Sequence, residues 1–397
     1  MSEDALATAD IVVVGAGIVG LCTAWELSKR GFDVVVVEQR FVGFGATSRN
    51  PGALWVQTRR SGAELDLSRA GVAKYHEYRD ELGDVFGFTQ RGGVVFAEDS
   101  DGAAALEEYR QERSDSGLEV SLLKGKALSQ ASGIMPEGAV AGVYCEEDSQ
   151  IDPHQFLTAL TAACQRRGVQ VFEHTPVLST IRSGEQVLGV QTLRGRVDAG
   201  GVIWATGAWA TNLKLEGIVL PMQTLRYGQV MTQRVPGESG PILRGLRGTF
   251  GAGALEPWAS KSNPAPLKGG MLGYDDTLVQ NRGGSIYIGH SVDGLNSLNP
   301  HITLDASMTM LDIAGERFTR FGGLGITGLW AGLNSLTADS LPIVDRADGV
   351  YVNVGHAWGA LSAPVCGQLT ADLVTGVRSE LLNAVSLTRT SLGGYDG

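Results

Sequence analysis

Gly15, Gly17 and Gly20 sit between the apolar run Ile11–Val14 and a helix-forming stretch, and Glu38 closes a second apolar run, Val34–Val37. Strand, glycine turn, helix, strand, acid is an arrangement that can hold a dinucleotide. Gly15 permits a tight turn, Gly17 lets a pyrophosphate approach the backbone, and Gly20 lets the helix lie close on the strand with its positive end toward the phosphates. Glu38 is spaced to accept hydrogen bonds from ribose hydroxyls. The alternative is a glycine-rich turn in an ordinary βαβ unit. A flanking strand, a helix and an acid in the expected order favour the site.

Other stretches carry residues of the same promise. Gly43–Gly52 reads GFGATSRNPG, small and hydroxyl residues that could line the phosphate and ribityl side of a cofactor or form a plain loop. Leu54–Arg59 is expected to be extended, with Trp55, Gln57 and Arg59 on one face and Leu54, Val56 and Thr58 on the other. A second glycine turn, Ala205-Thr206-Gly207, ends a later strand, and Gly355-His356 leads into a helix beginning near Gly359, whose N-terminus could face a ring carbonyl. His356 invites a role as a base. A histidine at a strand-to-helix turn is more often structural, its ring bonded to backbone.

The elements that must position these residues follow from periodicity and caps. Helices are expected over about 18–30, closing at Gly31, over 65–82, and over 101–117 as a solvated surface helix. Asp152-Pro153 starts another, with Phe156, Leu157, Leu160 and Cys164 as its apolar stripe and Gly168 at its end. Strands are expected over 91–97, from Val169, and over 177–182, 187–193 and 197–205, with turns at Ser183-Gly184 and Arg194-Gly195. From Gly217 to Leu333 the chain is β-rich, with a hairpin over Gly283-Gly284 and a helix over 305–320. The stretch Gly248–Gly273 reads equally as a lid or a passive excursion.

A chain of 397 residues can enclose a deep pocket. A formal charge of −11 argues against nucleic acid or an anionic membrane as partner. Its 55 glycines suit many tight turns and close backbone contacts. Cys22, Cys145, Cys164 and Cys366 form no CxxC pair, so the expectation is buried free thiols, no metal site and a cytoplasmic location. The acidic start Ser2-Glu3-Asp4 does not suit a signal peptide, and the apolar stretch after it is too short to span a bilayer.

Taken together, VVVGAGIVG with Glu38, GATSRN, IDPHQF, WATGAWA, GGSIYIGHS, WAGLNSLTADSLPIV and VGHAWGALSAPVCGQLTADLVTG resemble, over nearly the whole chain, the D-amino-acid oxidase, glycine oxidase and sarcosine oxidase family of FAD-dependent oxidoreductases. The resemblance implies an α/β fold: a Rossmann-like FAD domain of the glutathione-reductase type over 1–86, 150–216 and 334–397, interleaved with a β-rich antiparallel substrate domain over 87–149 and 217–333. It implies non-covalent FAD contacted by Gly15, Gly17, Gly20, Glu38, Gln39, Arg40, Ala46, Thr47, Ser48, Asn50 and Gly52 around the ADP and ribityl portions. Val177 would lie near the adenine, and Gly207, His356, Gly359, Ala360 and Leu361 near the isoalloxazine. Trp55, Gln57, Arg59, Tyr274, Asn334 and Trp358 are the candidates on the substrate side.

The activity so implied is oxidation of the C–N bond of an amino acid or related amine. A hydride passes to flavin N5, the imine is hydrolysed, and O2 or an electron-accepting partner reoxidises the flavin. Alternatives are a dehydrogenase or heteromeric subunit of the opine-oxidase or cyanide-synthase type, and a flavin-binding protein without turnover. Substrate, handedness and oligomeric state stay open. The chain departs from the family where a carboxylate anchor is commonly found: Asn334 replaces an Arg after the WAGL-like stretch, and Trp358-Gly359 stand where Lys or Arg follows the GH pair. Arg59 is the expected replacement anchor, ahead of Arg226 and Arg282.

Overall fold

A computed structural model describes residues 5–237, 239–259, 267–317 and 322–392. Its first sheet has the strand order Ile343–Ala347, Val350–Val354, Gly195–Trp204, Ala7–Val14, Val34–Val37 and Gln170–Phe172, with Val177–Ser183 and Gln186–Thr192 paired beside Gly195–Trp204. The four strands from Gly195–Trp204 to Gln170–Phe172 run parallel. Side-chain alternation divides its core. Ile11 and Val13 join a cluster with helices Ile18–Lys29, Pro153–Arg166 and Gly359–Thr375, while Val12 and Val14 face Val190, Val202 and Leu213 on the other side. Both faces being covered explains the unbroken valine run at 34–37. Gly20 and Gly367 allow close packing of the helices here: a Cβ on the first would sit 1.9 Å from the Gly15 carbonyl oxygen, and one on the second 2.7 Å from the Cys22 carbonyl carbon.

The second sheet runs Ile326–Leu336, Gln223–Arg234, Ser285–Asp293, Gly273–Gln280, Ile242–Thr249, Gly93–Ala97, Ala141–Cys145 and Val120–Lys124. Its pairs are antiparallel except the junction of Ile242–Thr249 with Gly93–Ala97, where strands from two separate excursions of the chain meet in parallel. A two-stranded ladder, Ala53–Leu54 with Ser149–Gln150, connects the layers. The mixed α/β fold agrees with the expectation, as do the Asp152-capped helix and the hairpin at Gly283-Gly284. The expected 305–320 helix is Leu304–Arg317, its last residues lying outside the described set. So does 260–266 of the expected lid; what is described there carries the short helical turns Gly253–Leu255 and Glu256–Ala259. All four cysteines are free and buried, and no helix among the described residues is long and apolar enough to cross a membrane.

Candidate functional site

The strand Ala7–Val14 delivers the chain into a turn that only glycine can make. Gly15 has φ +108°, and a Cβ there would lie 2.6 Å from the Ala205 carbonyl oxygen. Glu38, carried in by the neighbouring strand, braces that turn: Oε2 accepts from Ala16 N–H and Oε1 from Arg40 N–H, both at 2.9 Å. Burial raises its pKa, opposed by those backbone donors. Thr47 Oγ1 accepts from Ile18 N–H at 3.1 Å, while the N-cap residue itself, Gly17, has no side chain to cap the helix. The Gly359–Thr375 helix begins without a side-chain cap from its N-cap residue Trp358, and the positive ends of both helices meet one space.

That space is a single cavity of about 470 Å³. It is lined in succession by Gly15, Gly17, Glu38 and Gln39, by Ala46, Thr47, Asn50, Val177 and Gly207, and by His356, Gly359, Ala360 and Leu361. Its inner end is formed by Trp55, Arg59, Tyr227, Arg244, Asp275, His290, Asn334 and Trp358. Thr206 Oγ1, Trp55 Nε1 and Trp358 Nε1 are buried in residues of its wall without a hydrogen-bond partner among the described residues.

Several expected residues do not line it. Gly20 lies beneath the turn against Gly15, and Gly52, at φ +77°, packs against the Ile151 carbonyl. Arg40 contributes only its N–H to Glu38, its guanidinium lying over the Phe44 ring. Ser48 packs against Gly43 and lines a neighbouring groove. The extended segment ends at Leu54, because Arg59 N–H donates to the Val56 carbonyl at 3.0 Å and closes a turn. Trp55 and Arg59 therefore reach the cavity, while Gln57 points away and its Nε2 donates to Asp148 Oδ2 at 2.6 Å. Tyr274 points to the other side of its strand from Asp275 and Thr277: those two face the cavity, and Tyr274 lines an adjoining one of about 550 Å³.

Asn334 is occupied, its Nδ2 donating to the Ala357 carbonyl at 2.7 Å and its Oδ1 accepting from Ser335 N–H. His356 is occupied at both nitrogens. Asn353 Nδ2 donates to Thr23 and Cys366, so Asn353 Oδ1 accepts from His356 Nε2–H at 2.8 Å, which leaves Nδ1 to accept from the Ser362 hydroxyl at 2.8 Å. Burial lowers the His356 pKa to about 3, so the ring is neutral and has no free lone pair for a base. The ring is bonded to the side chains of Asn353 and Ser362, where bonds to backbone were expected.

Arg59 is 4 % exposed. Nε donates to the Trp55 carbonyl at 3.2 Å and Nη1 to the Gly251 carbonyl at 3.1 Å, with the guanidinium 5.2 Å over the Trp358 ring. No carboxylate among the described residues pairs with it. Burial brings its pKa down to about 10, so it stays charged at neutral pH. Arg226 is bound to Asp293 at 2.6 Å and Arg282 reaches Asp84 at the surface; neither lines the cavity. The cluster beside Arg59 was missed in the sequence. Arg244 lies 5.5 Å over the Trp55 ring and pairs with Asp275, whose Oδ2 lies 3.3 Å from His290 Nδ1. Burial would raise the Asp275 pKa, but Arg244 and His290 hold it well below the usual carboxylate range. His290 falls in GGSIYIGHS, the one signal that could have drawn notice.

The model of the family described as DAO, FAD dependent oxidoreductase, matches residues 10–373. The bifunctional protein ThiO/ThiG of Nostoc sp. is 28% identical over 387 residues, covering 94% of this chain and 54% of that protein, so the chain spans about half the length of that relative. Glycine oxidase of Geobacillus kaustophilus is 26% identical over 393 residues, covering 96% of this chain and 97% of the other. A crystal structure of glycine oxidase from Geobacillus kaustophilus superposes with a TM-score of 0.81 at 23% identity, covering 96% of this chain and 99% of that one.

Proposed function

Because this chain belongs to the DAO family of FAD-dependent oxidoreductases, we propose that it oxidises the C–N bond of a small amine bearing one carboxylate, held by Arg59. The observation that carries this reading is the charge at the cavity's inner end. Asp275 offsets Arg244, and Arg59 is left as a buried cation that no carboxylate among the described residues pairs with. A buried charge of this kind is costly unless a ligand supplies the opposite sign.

The residues present fit FAD. A turn at Gly15 closed to a Cβ, two helix N-termini and polar atoms without a partner among the described residues along one cavity suit an elongated ligand with phosphates and ring acceptors. In this reading Gly15, Gly17, Glu38, Gln39, Ala46, Thr47, Asn50 and Val177 hold the ADP and ribityl portions, and Gly207 with Gly359, Ala360 and Leu361 the ring. Bound FAD supplies the hydride acceptor. Arg59 binds the carboxylate and so orients the C–H bond beside the amine. Trp55 and Trp358 hold the two guanidiniums by ring contact and keep water from the inner end. The units over 1–86, 150–216 and 334–397 and over 87–149 and 217–333 carry cofactor and substrate respectively, with Arg59 on the first and Arg244 on the second. Four buried free thiols support a cytoplasmic setting.

The test is turnover of purified protein on amino acids, N-methyl amino acids and simple amines, assayed by carbonyl product. Carboxylate-bearing amines are expected to turn over, and peroxide release distinguishes O2 from a partner as electron acceptor. Preference for amines lacking a carboxylate overturns the reading.

A further inference from the structure

The turn from which Arg59 projects is gripped on two sides. Asp148 Oδ1 accepts from Val56 N–H at 2.6 Å and from Gln57 N–H at 3.0 Å, and Oδ2 accepts from Gln57 Nε2 at 2.6 Å. Opposite, Arg113 Nη1 donates to the Arg59 carbonyl at 2.7 Å and to the Gln57 carbonyl at 3.4 Å, while the Tyr109 hydroxyl donates to the Gln57 carbonyl at 2.7 Å. An anion thus holds the N–H ends of the turn, and a cation and a hydroxyl hold its C=O ends. All three gripping side chains are buried, Asp148 completely.

The surroundings are built to bring Asp148 there. Leu54 pairs with Ser149 in the two-stranded ladder, so the next residue on each strand, Trp55 and Asp148, come face to face. Gly93 leaves the room: a Cβ on it would lie 2.4 Å from Asp148 Oδ2 and 2.7 Å from the Trp55 ring. Asp148 makes no ion pair among the described residues, and burial pushes its carboxyl up to about 6 despite its three donors and the more distant charge of Arg59. A buried carboxylate with no cation paired to it weakens a fold, and a neutral side chain of the same shape costs less. Packing alone therefore does not account for an acid at this position, whereas the two N–H groups and the amide it anchors do.

We propose that Asp148 is a positioning residue for substrate binding, which fixes the Val56–Gln57 amides while Arg113 and Tyr109 fix the carbonyls beyond them, so that Arg59 presents its guanidinium at one place in the cavity. The proposal rests on the assignment of Arg59 as the carboxylate anchor. It places no contact between Asp148 and the substrate.

The experiment titrates acetate, the simplest carboxylate, into FAD-loaded wild type, Arg59→Met and Asp148→Asn, reading Kd from the change in flavin absorbance and following flavin retention and Tm in parallel. Displacing a clamped group by about 1 Å can cost a hundredfold, so Asp148→Asn is expected to raise the acetate Kd by about tenfold or more. Its Tm is expected to be equal to or above wild type, with flavin retention unchanged. An acetate Kd within about twofold of wild type, or a loss of Tm and flavin in step with it, overturns the positioning role while Arg59→Met still weakens acetate. If Arg59→Met leaves the acetate Kd unchanged, or wild type gives no acetate-dependent change, the anchor assignment fails and the proposal falls with it. Should Asp148→Asn not accumulate as a folded flavoprotein, Tyr109→Phe removes one donor from the opposite side and is judged by the same two results.

Discussion

Replacing Arg59 by methionine removes the guanidinium and keeps much of the side-chain volume between Trp55 and Trp358. In the free protein the change deletes hydrogen bonds to the Trp55 and Gly251 carbonyls, about 1 kcal/mol each, and the contact with the Trp358 ring. It also relieves the burial of a cation that no carboxylate among the described residues pairs with, so the two effects oppose and the net change in stability is small. With substrate the effects do not oppose. A charge-assisted, bidentate contact to a carboxylate in a water-poor site is worth on the order of 2 to 4 kcal/mol in kcat/KM, because affinity and orientation are lost together. That is a fall of about 30- to 900-fold. Steady-state kinetics on a carboxylate substrate, with flavin content and Tm measured beside them, provide the assay. A fall of less than about threefold, under 1 kcal/mol, refutes the assignment and makes Arg244 the cation to test next.

Glu38→Ala leaves Ala16 N–H and Arg40 N–H without their acceptor and removes the carboxylate expected at the ribose, so FAD affinity is expected to drop by about tenfold or more; unchanged retention on gel filtration contradicts this. His356 has its pKa pulled down to about 3 in the fold, against about 6.5 when unfolded, so the unfolded chain gains a proton that the folded chain refuses. The stability linked to it is complete above about pH 6.5 and is lost as pH falls toward about 3. His356→Gln should flatten that acid limb in denaturant titrations, and an unaltered slope would show that other groups govern it. None of the described cysteines lines the cavity, so acid precipitation is expected to release the flavin into the supernatant, and a yellow pellet would reveal a covalent link.

The nucleotide end was legible because its causes are local. Gly15 needs its positive φ, and Val34–Val37 is apolar on every residue because helices and strands cover both faces. The inner end was not legible, since its causes are distant. Nothing near Gln57 in the chain announces that Asp148 and Arg113, about 90 and 56 positions on, bend the segment into a turn. Tyr274 entered as a candidate through the resemblance alone, and strand alternation puts its neighbour Asp275 in the cavity and Tyr274 on the other side. Arg244 sits in a strand with no distinguishing pattern, and its role emerges only from the Trp55 ring beneath it and Asp275 beside it.

Anaerobic reduction of the bound flavin by matched amines tests the central claim most directly, since it isolates the chemical step from reoxidation. Purified protein is mixed without oxygen with an amino acid, or its N-methyl derivative, and separately with the corresponding amide, while flavin absorbance is followed. The carboxylate-bearing amine is expected to bleach the flavin at least about tenfold faster than its amide, since only the former places a charge against Arg59. Equal rates for the two, or a flavin that no amine in such a panel reduces, would contradict oxidation of a carboxylate-bearing amine in this cavity.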